Sequence, residues 1–513
     1  MGAWSFYFLA KLYLYFRGYL RLDFVLNLLF IVFLIIPVPA QLKSYRSLTV
    51  VKHVFGGILG LLLLWHDSWL PPLWFALSFL EQGGMPSKEY VYRFLLEFVN
   101  LWEIAALVSV LAVAILVRNR IRLTPVVLVL LLIVPLREFG QHPGGMEGEV
   151  RAFYRSESSR VVHFEKSKTK APDFDVIILH VCSLAWDDLK GIGMEADPFF
   201  KTFDYLFTDF NSVTTYSNPS AIRLLRANCG QSVHDALYRE APRDCYLVDS
   251  LRDQGFETYF TLNHDGVYGH FADQVKDLGH LDAPLLPTDL SIQAYDFDGS
   301  AIYDDYDALA KWWALRQKSS SAAAAVYYNT ISLHDGAHWV GEKEWWKHDR
   351  TVHYREATQK LLGDVARFFD LVASSGRKAV IIFVPEHGMA LRGNAFQVAG
   401  LRDIPFKQIT QVPVGVKLIG RDPGGVDIPQ RVIPEPTSYL ALSYLLMSFM
   451  ERSPFETDGM ESDDRIAHLP ETDFLSENQG IRIFKKGADY FLYGKEKKWI
   501  ALPSSVIPQT GGA

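Results

Sequence analysis

At 513 residues the chain is too long for one ordinary domain, and 49 % of it is hydrophobic. Residues 1–138 hold 12 Lys+Arg against 7 Asp+Glu, a net of +5; the whole chain is −7, so the remainder carries −12. That acidic balance argues against nucleic acid as a partner and suits a neutral or zwitterionic substrate.

Residues 1–21 are aromatic-rich, with Lys11, Arg17 and Arg21 interspersed. No short apolar core followed by small residues marks a cleavable signal. An interfacial amphipathic helix is expected there, with a fifth membrane span as the alternative. Four apolar runs follow, at 24–38, 48–65, 101–117 and 121–136, each close to the ~20 residues that cross a bilayer. Arg118, Arg120 and Arg122 crowd the turn between the third and fourth runs, and Lys43, Arg46 and Lys52 that between the first and second. Positive residues stay cytoplasmic, so both turns are expected inside and everything after the fourth run outside. The stretch 68–84, with two Trp and two adjacent Pro, reads as an outer-interface segment.

Residues 138–173 lack periodicity and read as a linker. From 174 to about 449, apolar strand candidates (176–181, 258–262, 326–332, 380–384, 414–419) alternate with helical patterns (222–227, 250–254, 308–317, 354–374, 437–450). This alternation predicts a mostly parallel sheet covered by helices on both faces. Residues 453–475 are acidic and Pro-punctuated, hence a loop; 480–501 predict two or three short antiparallel strands, and the last ten residues disorder. The expected domains are a transmembrane part over 1–137, the linker, and an α/β domain over 174–513.

Chemistry concentrates at strand ends, where open α/β sheets place their ligands. The strand 380–384 stops at Pro385 and presents Glu386 and His387 side by side on a Gly-containing turn. A carboxylate beside an imidazole is half of a metal site. Strand 176–181 ends at Cys182, a third ligand candidate. Ser217 precedes Pro219 and a helical pattern, so its hydroxyl meets the positive end of a helix, a good place to receive a phosphoryl group. The expected site is one Zn²⁺ held by Cys182, Glu386 and His387, with Ser217 as fourth ligand and nucleophile. Alone, Ser217 reads as a bystander in a turn, with Asn218 or Ser220 as the helix cap.

His334, in His334-Asp335-Gly336 after strand 326–332, could hold the donor phosphate or protonate the leaving oxygen, and His338 competes for that role. Asn263-His264-Asp265-Gly266 is a similar turn. Arg402 could grip a phosphate bidentately or form an ordinary ion pair. Trp312-Trp313, Trp339 and Trp345-Trp346 suit either sugar stacking or a core. Of three cysteines, Cys229 and Cys245 lie 16 residues apart in a loop-rich stretch and could pair, which requires an oxidising compartment; three buried thiols is the other reading.

These residues, with Leu333, Tyr216 beside Ser217, Ile222-Arg223-Leu224-Leu225-Arg226-Ala227 and Gly400-Leu401-Arg402-Asp403-Ile404-Pro405, resemble the bacterial cellulose phosphoethanolamine transferases, a branch of the alkaline phosphatase superfamily, over nearly the whole chain. The resemblance implies a multi-pass inner-membrane protein whose α/β domain is periplasmic and binds one Zn²⁺ through Cys182, Ser217, Glu386 and His387. Tyr216, His334 and Arg402 would be supporting active-site residues, and Cys229–Cys245 a disulfide. The implied donor is phosphatidylethanolamine and the implied acceptor the glucose 6-hydroxyl of cellulose, with a cellulose synthase secretion complex as partner. Sulfatases, in the same superfamily, need an Arg where Ala221 stands. Transfer of phosphoethanolamine or glycerol phosphate to another envelope acceptor, and a non-catalytic scaffold, are the alternatives.

Overall fold

In the computed structural model the described residues are all but 1–3, 37–45, 71–85, 140–144, 166–171, 286–288, 421–428, 456–461, 495–496, 504–505 and 507–513, with no side chains described for 46–49, 137–139 and 462–464. Lys43, most of the expected interface segment 68–84 and nearly all of the last ten residues therefore lie outside the description. The chain forms two units, described here one at a time.

The first unit comprises residues 1–81, 94–143 and 393–403. Its helices are α1 (Trp4–Phe16), α2 (Phe24–Ile35), α3 (Arg46–Asp67), the end of α4 (Lys88–Glu97), α5 (Leu101–Val117) and α6 (Leu123–Phe139). Many apolar side chains face outward, Trp102 at 86 % and Leu116 at 78 % exposure, as lipid-facing surfaces do and water-facing ones avoid. Among the described residues only α3 is long and apolar enough to cross a membrane alone, while α4 and α5 would do so as a bent pair. α2 and α6, at 12 and 17 residues, are shorter than the ~20 residues that cross a bilayer. The unit is compatible with a transmembrane domain, and among the described residues one helix, or two if the bent pair is one span, is long and apolar enough to cross.

α1 departs from the expected interfacial helix. Phe8 and Leu12 are buried with Phe30, Ile31, Val127 and Leu131. Lys11, read from sequence as part of a polar face, is 1 % exposed. Its Nζ lies 2.6 Å from Asp67 Oδ2 and 2.8 Å from Asn27 Oδ1. A buried ammonium is tolerable only when paired and hydrogen-bonded, and here the partner comes from 56 residues away. Residues 393–403, expected in the α/β domain, group with this unit: the Phe396 ring sits 4.5 Å from that of Trp69.

The second unit (residues 82–93, 144–392 and 404–513) holds a seven-stranded sheet. Its strands are β1 (Asp175–Val181), β2 (Tyr205–Asn211), β3 (Glu257–Leu262), β6 (Ala324–Thr330), β8 (Ala379–Pro385), β9 (Gln411–Ile419) and β10 (Arg431–Ile433), in the order β10-β2-β9-β8-β1-β6-β3. All neighbours run parallel except β9, antiparallel to both β8 and β2. The alternation of side chains splits the apolar strands between two cores. Ile178, Val380 and Ile382 pack with Leu224 and Leu225 of α8 (Ser217–Leu225) and with Leu442 and Leu446 of α11 (Tyr439–Glu451). Ile177, Leu179, Ile381 and Phe383 pack with Leu309, Trp312 and Trp313 of α9 (Asp305–Lys318) and with Leu361, Val365 and Phe368 of α10 (Arg350–Ser374). Both faces are covered, as expected. Trp312 and Trp313 are core, and Trp345 is buried.

Several elements were not foreseen. β2 was missed because half-buried Thr208 and Asp209 interrupt its apolar pattern, at an irregularity between Phe207 and Phe210. The expected linker contains α7 (Met146–Ser158), whose Met146, Val150 and Phe153 pack on Leu475, Phe484 and Trp499. β4 (Ile292–Tyr295), β5 (Ala301–Tyr303) and β7 (His338–Trp339) make a small sheet in the order β5-β4-β7. The expected loop 453–475 carries a short helix, Ser462–Ala467. Near the end, β12 (Ile481–Lys486), β13 (Asp489–Tyr493) and β14 (Trp499–Ala501) are the three antiparallel strands expected over 480–501, and β11 (Leu475–Asn478), which was not foreseen, pairs with β12.

Candidate active site

Parallel pairing places Val181 of β1 opposite Pro385 of β8. The residues that follow, Cys182 and Glu386, are thereby neighbours although 204 apart in sequence. The pairing continues past the strands: Glu386 N–H donates to Val181 O at 2.8 Å and Leu184 N–H to His387 O at 2.7 Å. One ligand atom each from Cys182, Glu386 and His387 lies within 4.8 Å of the others, and all three residues are buried. Ser183, between them and the turn, has φ +65°, a left-handed conformation costly for a residue with a Cβ. The Tyr354 hydroxyl donates to its carbonyl at 2.6 Å and holds that kink.

Ser217 is the first residue of α8, with Tyr216 as its N-cap. The approach loop is pinned by Asn478: Thr214 Oγ1 and Thr215 N–H donate to its Oδ1, and its Nδ2 donates to Thr215 Oγ1. Ser217 Oγ lies 3.6 Å from Cys182 Sγ. Asn218 donates to Gly269 O and to Gln274 Oε1 rather than capping the helix. Ser220 is buried and donates to Glu386 O at 3.0 Å. Ser217 is thus not a turn bystander: it is half-buried and faces the thiol.

The electrostatics fit a cation. Burial pushes the Glu386 carboxyl above its ordinary range, and the nearby polar groups of Ser217, Asn329 and Cys182 act the other way. Glu386 Oε1 accepts from Asn329 Nδ2 at 2.5 Å, while Oε2 is buried with no hydrogen-bond partner. An unsatisfied buried carboxylate oxygen is costly unless a positive charge meets it. His387 Nδ1 donates to Gly388 O at 2.9 Å, which leaves Nε2 with the lone pair that a metal takes. A thiolate, an imidazole and a carboxylate form a donor set suited to Zn²⁺. Behind them Asp188 accepts from the amides of Ala185, Met389 and Leu391. Burial pushes its carboxyl up to about 6. Gly388 has to be small: a Cβ there would lie 2.5 Å from Asp188 Oδ2.

Two groups escaped sequence reasoning. Asn329, at the end of β6, accepts at Oδ1 from His264 Nε2 (2.9 Å) while donating to Glu386. His264 Nδ1 accepts from Gly266 N–H, so its proton is on Nε2. A polar residue inside the buried run of β6 was the available signal. Asp296, which follows β4, bonds His334 Nδ1 at 2.9 Å. A carboxylate there fixes the imidazole's orientation, and nothing in its local sequence announces it. His334 is near enough for its charge to lower the Glu386 pKa. His338 instead stacks on Trp345 at 4.6 Å. Arg402 is half-buried and belongs to the segment 393–403 of the first unit. Cys229 and Cys245 are bonded to each other, and Cys182 takes no part in that disulfide.

Comparison with known proteins gives concordant matches. Residues 4–136 match the family model of the cellulose biosynthesis protein BcsG N-terminal domain, and residues 141–499 that of its C-terminal domain. The chain is 33 % identical to cellulose biosynthesis protein BcsG of Escherichia coli (strain K12), over 98 % of this chain and 96 % of the relative. It is 32 % identical to that of Salmonella typhimurium, with the same coverage. Among solved structures, the soluble domain of lipooligosaccharide phosphoethanolamine transferase A from Neisseria meningitidis superposes with TM-score 0.39 at 15 % identity, covering 57 % of this chain and 91 % of that one. The lipoteichoic acid synthase LtaP from Listeria monocytogenes does so with TM-score 0.44 at 12 % identity, covering 69 % and 93 %.

Proposed function

We propose, on the premise that the chain belongs to the BcsG family, that it is a phosphoethanolamine transferase acting on cellulose. The donor is phosphatidylethanolamine and the acceptor a glucose 6-hydroxyl. The single observation that carries this reading is the approach of a serine hydroxyl, at a helix start, to a thiol that shares a buried cluster with a carboxylate and an imidazole. Cys182, Glu386 and His387 would hold Zn²⁺, with Ser217 as the fourth ligand. Zn²⁺ in that place lowers the serine pKa and offsets charge on phosphoryl oxygens.

The transfer runs in two displacements. Ser217 Oγ bonds to phosphorus as the bond to the diacylglycerol oxygen breaks, and the serine proton is released. His334, oriented by Asp296, supplies the proton that diacylglycerol leaves with. The glucan hydroxyl then bonds to phosphorus as the serine oxygen leaves; the hydroxyl's proton passes to His334 and restores its charge, and the serine oxygen regains from solvent the proton it released. Tyr216 borders the nucleophile, and Arg402 is assigned to the donor phosphate on the chemistry of its guanidinium.

The Cys229–Cys245 bond favours an oxidising compartment, and the outward apolar faces of the first unit favour a membrane anchor. We place the α/β unit in the periplasm of a multi-pass inner-membrane protein, beside a cellulose synthase secretion complex. The test is mass spectrometry of the full chain after exposure to phosphatidylethanolamine vesicles. One phosphoethanolamine adduct on Ser217, absent from Ser217→Ala, is expected. An adduct that persists in Ser217→Ala would move the nucleophile elsewhere.

A further inference from the structure

The catalytic histidine is braced by a piece of chain from between the apolar runs. Residues 82–93 were expected inside the transmembrane part, yet they belong to the second unit. Ser87 begins the contact: its N–H donates to Phe297 O at 3.0 Å, and its hydroxyl caps α4 by accepting from Tyr90 N–H at 3.2 Å. One turn on, the Tyr90 ring packs on Phe297 with centroids 5.3 Å apart. The Tyr90 hydroxyl reaches Asp335 Oδ2 at 3.4 Å. Arg93 then lies over the Trp345 ring at 5.8 Å.

The contacts that Ser87 and Tyr90 make with Phe297 and Asp335 lead to His334. Phe297 follows Asp296, the partner of His334 Nδ1, and its own ring lies 5.4 Å from the imidazole. Asp335 is the next residue and is also paired with Arg350 at 3.1 Å. Gly336, with φ +87°, turns so tightly beneath the strap that a Cβ there would stand 2.6 Å from the Tyr90 ring and 2.8 Å from Phe297 Cβ. The histidine loop is thus clasped between its own domain and a helix continuous with the apolar part of the chain. Loops that carry catalytic groups need such outside support to hold their geometry.

We infer that Tyr90 is a positioning residue: pressing on Phe297 and Asp335, it sets the orientation of the Asp296–His334 pair. The role of His334 as proton donor rests on the function proposed above; the clasp itself does not. The test uses the full chain in detergent or lipid, with a soluble phosphoethanolamine diester as probe. Tyr90→Ala should lower kcat at least tenfold with KM within about twofold, and should displace the pH profile of kcat. Tyr90→Phe, which keeps the ring, should restore most of the rate. Gly336→Ala, which pushes the strap away from the other side, should repeat the Tyr90→Ala effect.

Amide exchange of residues 331–337, read without any turnover, should speed up about tenfold in Tyr90→Ala. Unchanged exchange overturns the clasp. Faster exchange with an unaltered kcat and pH profile overturns positioning. Faster exchange in a protein whose wild type turns over no diester sinks the proposed reaction and sustains the clasp.

Discussion

Asn329 is the residue on which the Glu386 carboxylate leans. It passes the orientation of His264 to Glu386 through two hydrogen bonds of 2.9 and 2.5 Å. Removing such an outer partner typically weakens a metal site 10–100-fold. Asn329→Ala should therefore raise the zinc dissociation constant by roughly that factor, measured by chelator competition on the full chain. An unchanged constant would reduce Asn329 to a packing role. His180 lies under the same carboxylate, 3.6 Å from Oε1, fully buried and pushed down to about 3 by burial. It stays neutral and serves as a hydrogen-bond partner for Tyr327 rather than as a counter-charge.

Within the seven-stranded sheet β9 runs against both of its neighbours, and it does so in close quarters. A Cβ on Gly415 would lie 2.4–2.6 Å from ring atoms of Phe203, which seals one of the two cores. Overpacking of this kind costs about 1–3 kcal/mol. Gly415→Ala should lower the denaturation midpoint accordingly, and Phe203→Leu added to it should return part of the loss. No recovery in the double variant would mean that the strain lies in the strand backbone. The start of β1 is held differently, by Asp175 and Arg316, both fully buried and paired at 2.8 Å. Arg377 also reaches Asp175, at 2.9 Å, so loss of Asp175 leaves the buried Arg316 charge without its carboxylate, whereas loss of Arg316 leaves Asp175 one cation.

For the whole molecule, acid sensitivity has an identifiable contributor. His234 stands beside Arg223 of α8 and Arg482 of β12; burial first, then these two charges, push it down from 6.5 to about 3. Between those values the unfolded chain binds a proton that the folded chain refuses. The stability contributed is complete above about pH 6.5 and is lost as the pH falls toward 3, by up to about 1.4 kcal/mol per pH unit. His234→Phe should flatten the fall of the thermal midpoint between pH 6.5 and 4. A variant that keeps the wild-type slope would assign the acid limb to other groups.

Local sequence was sufficient to mark where strands stop and which ligating side chains stand at their ends. Cys182, Glu386 and His387 follow apolar runs whose length and β-branching are visible without a fold, because strand formation and termination depend on near neighbours. The same holds for Pro219 and the helix that Ser217 opens. What the tertiary structure alone decided is which ends meet. The β8-β1-β6 order joins Cys182 to Glu386 and Asn329, Asp296 finds His334 across the small sheet, and Lys11 finds Asp67. Tyr90, 245 residues away in sequence, meets Asp335 of the histidine loop. Such pairings minimise buried charge and unsatisfied polar groups over the whole molecule, a condition that no single stretch of sequence carries.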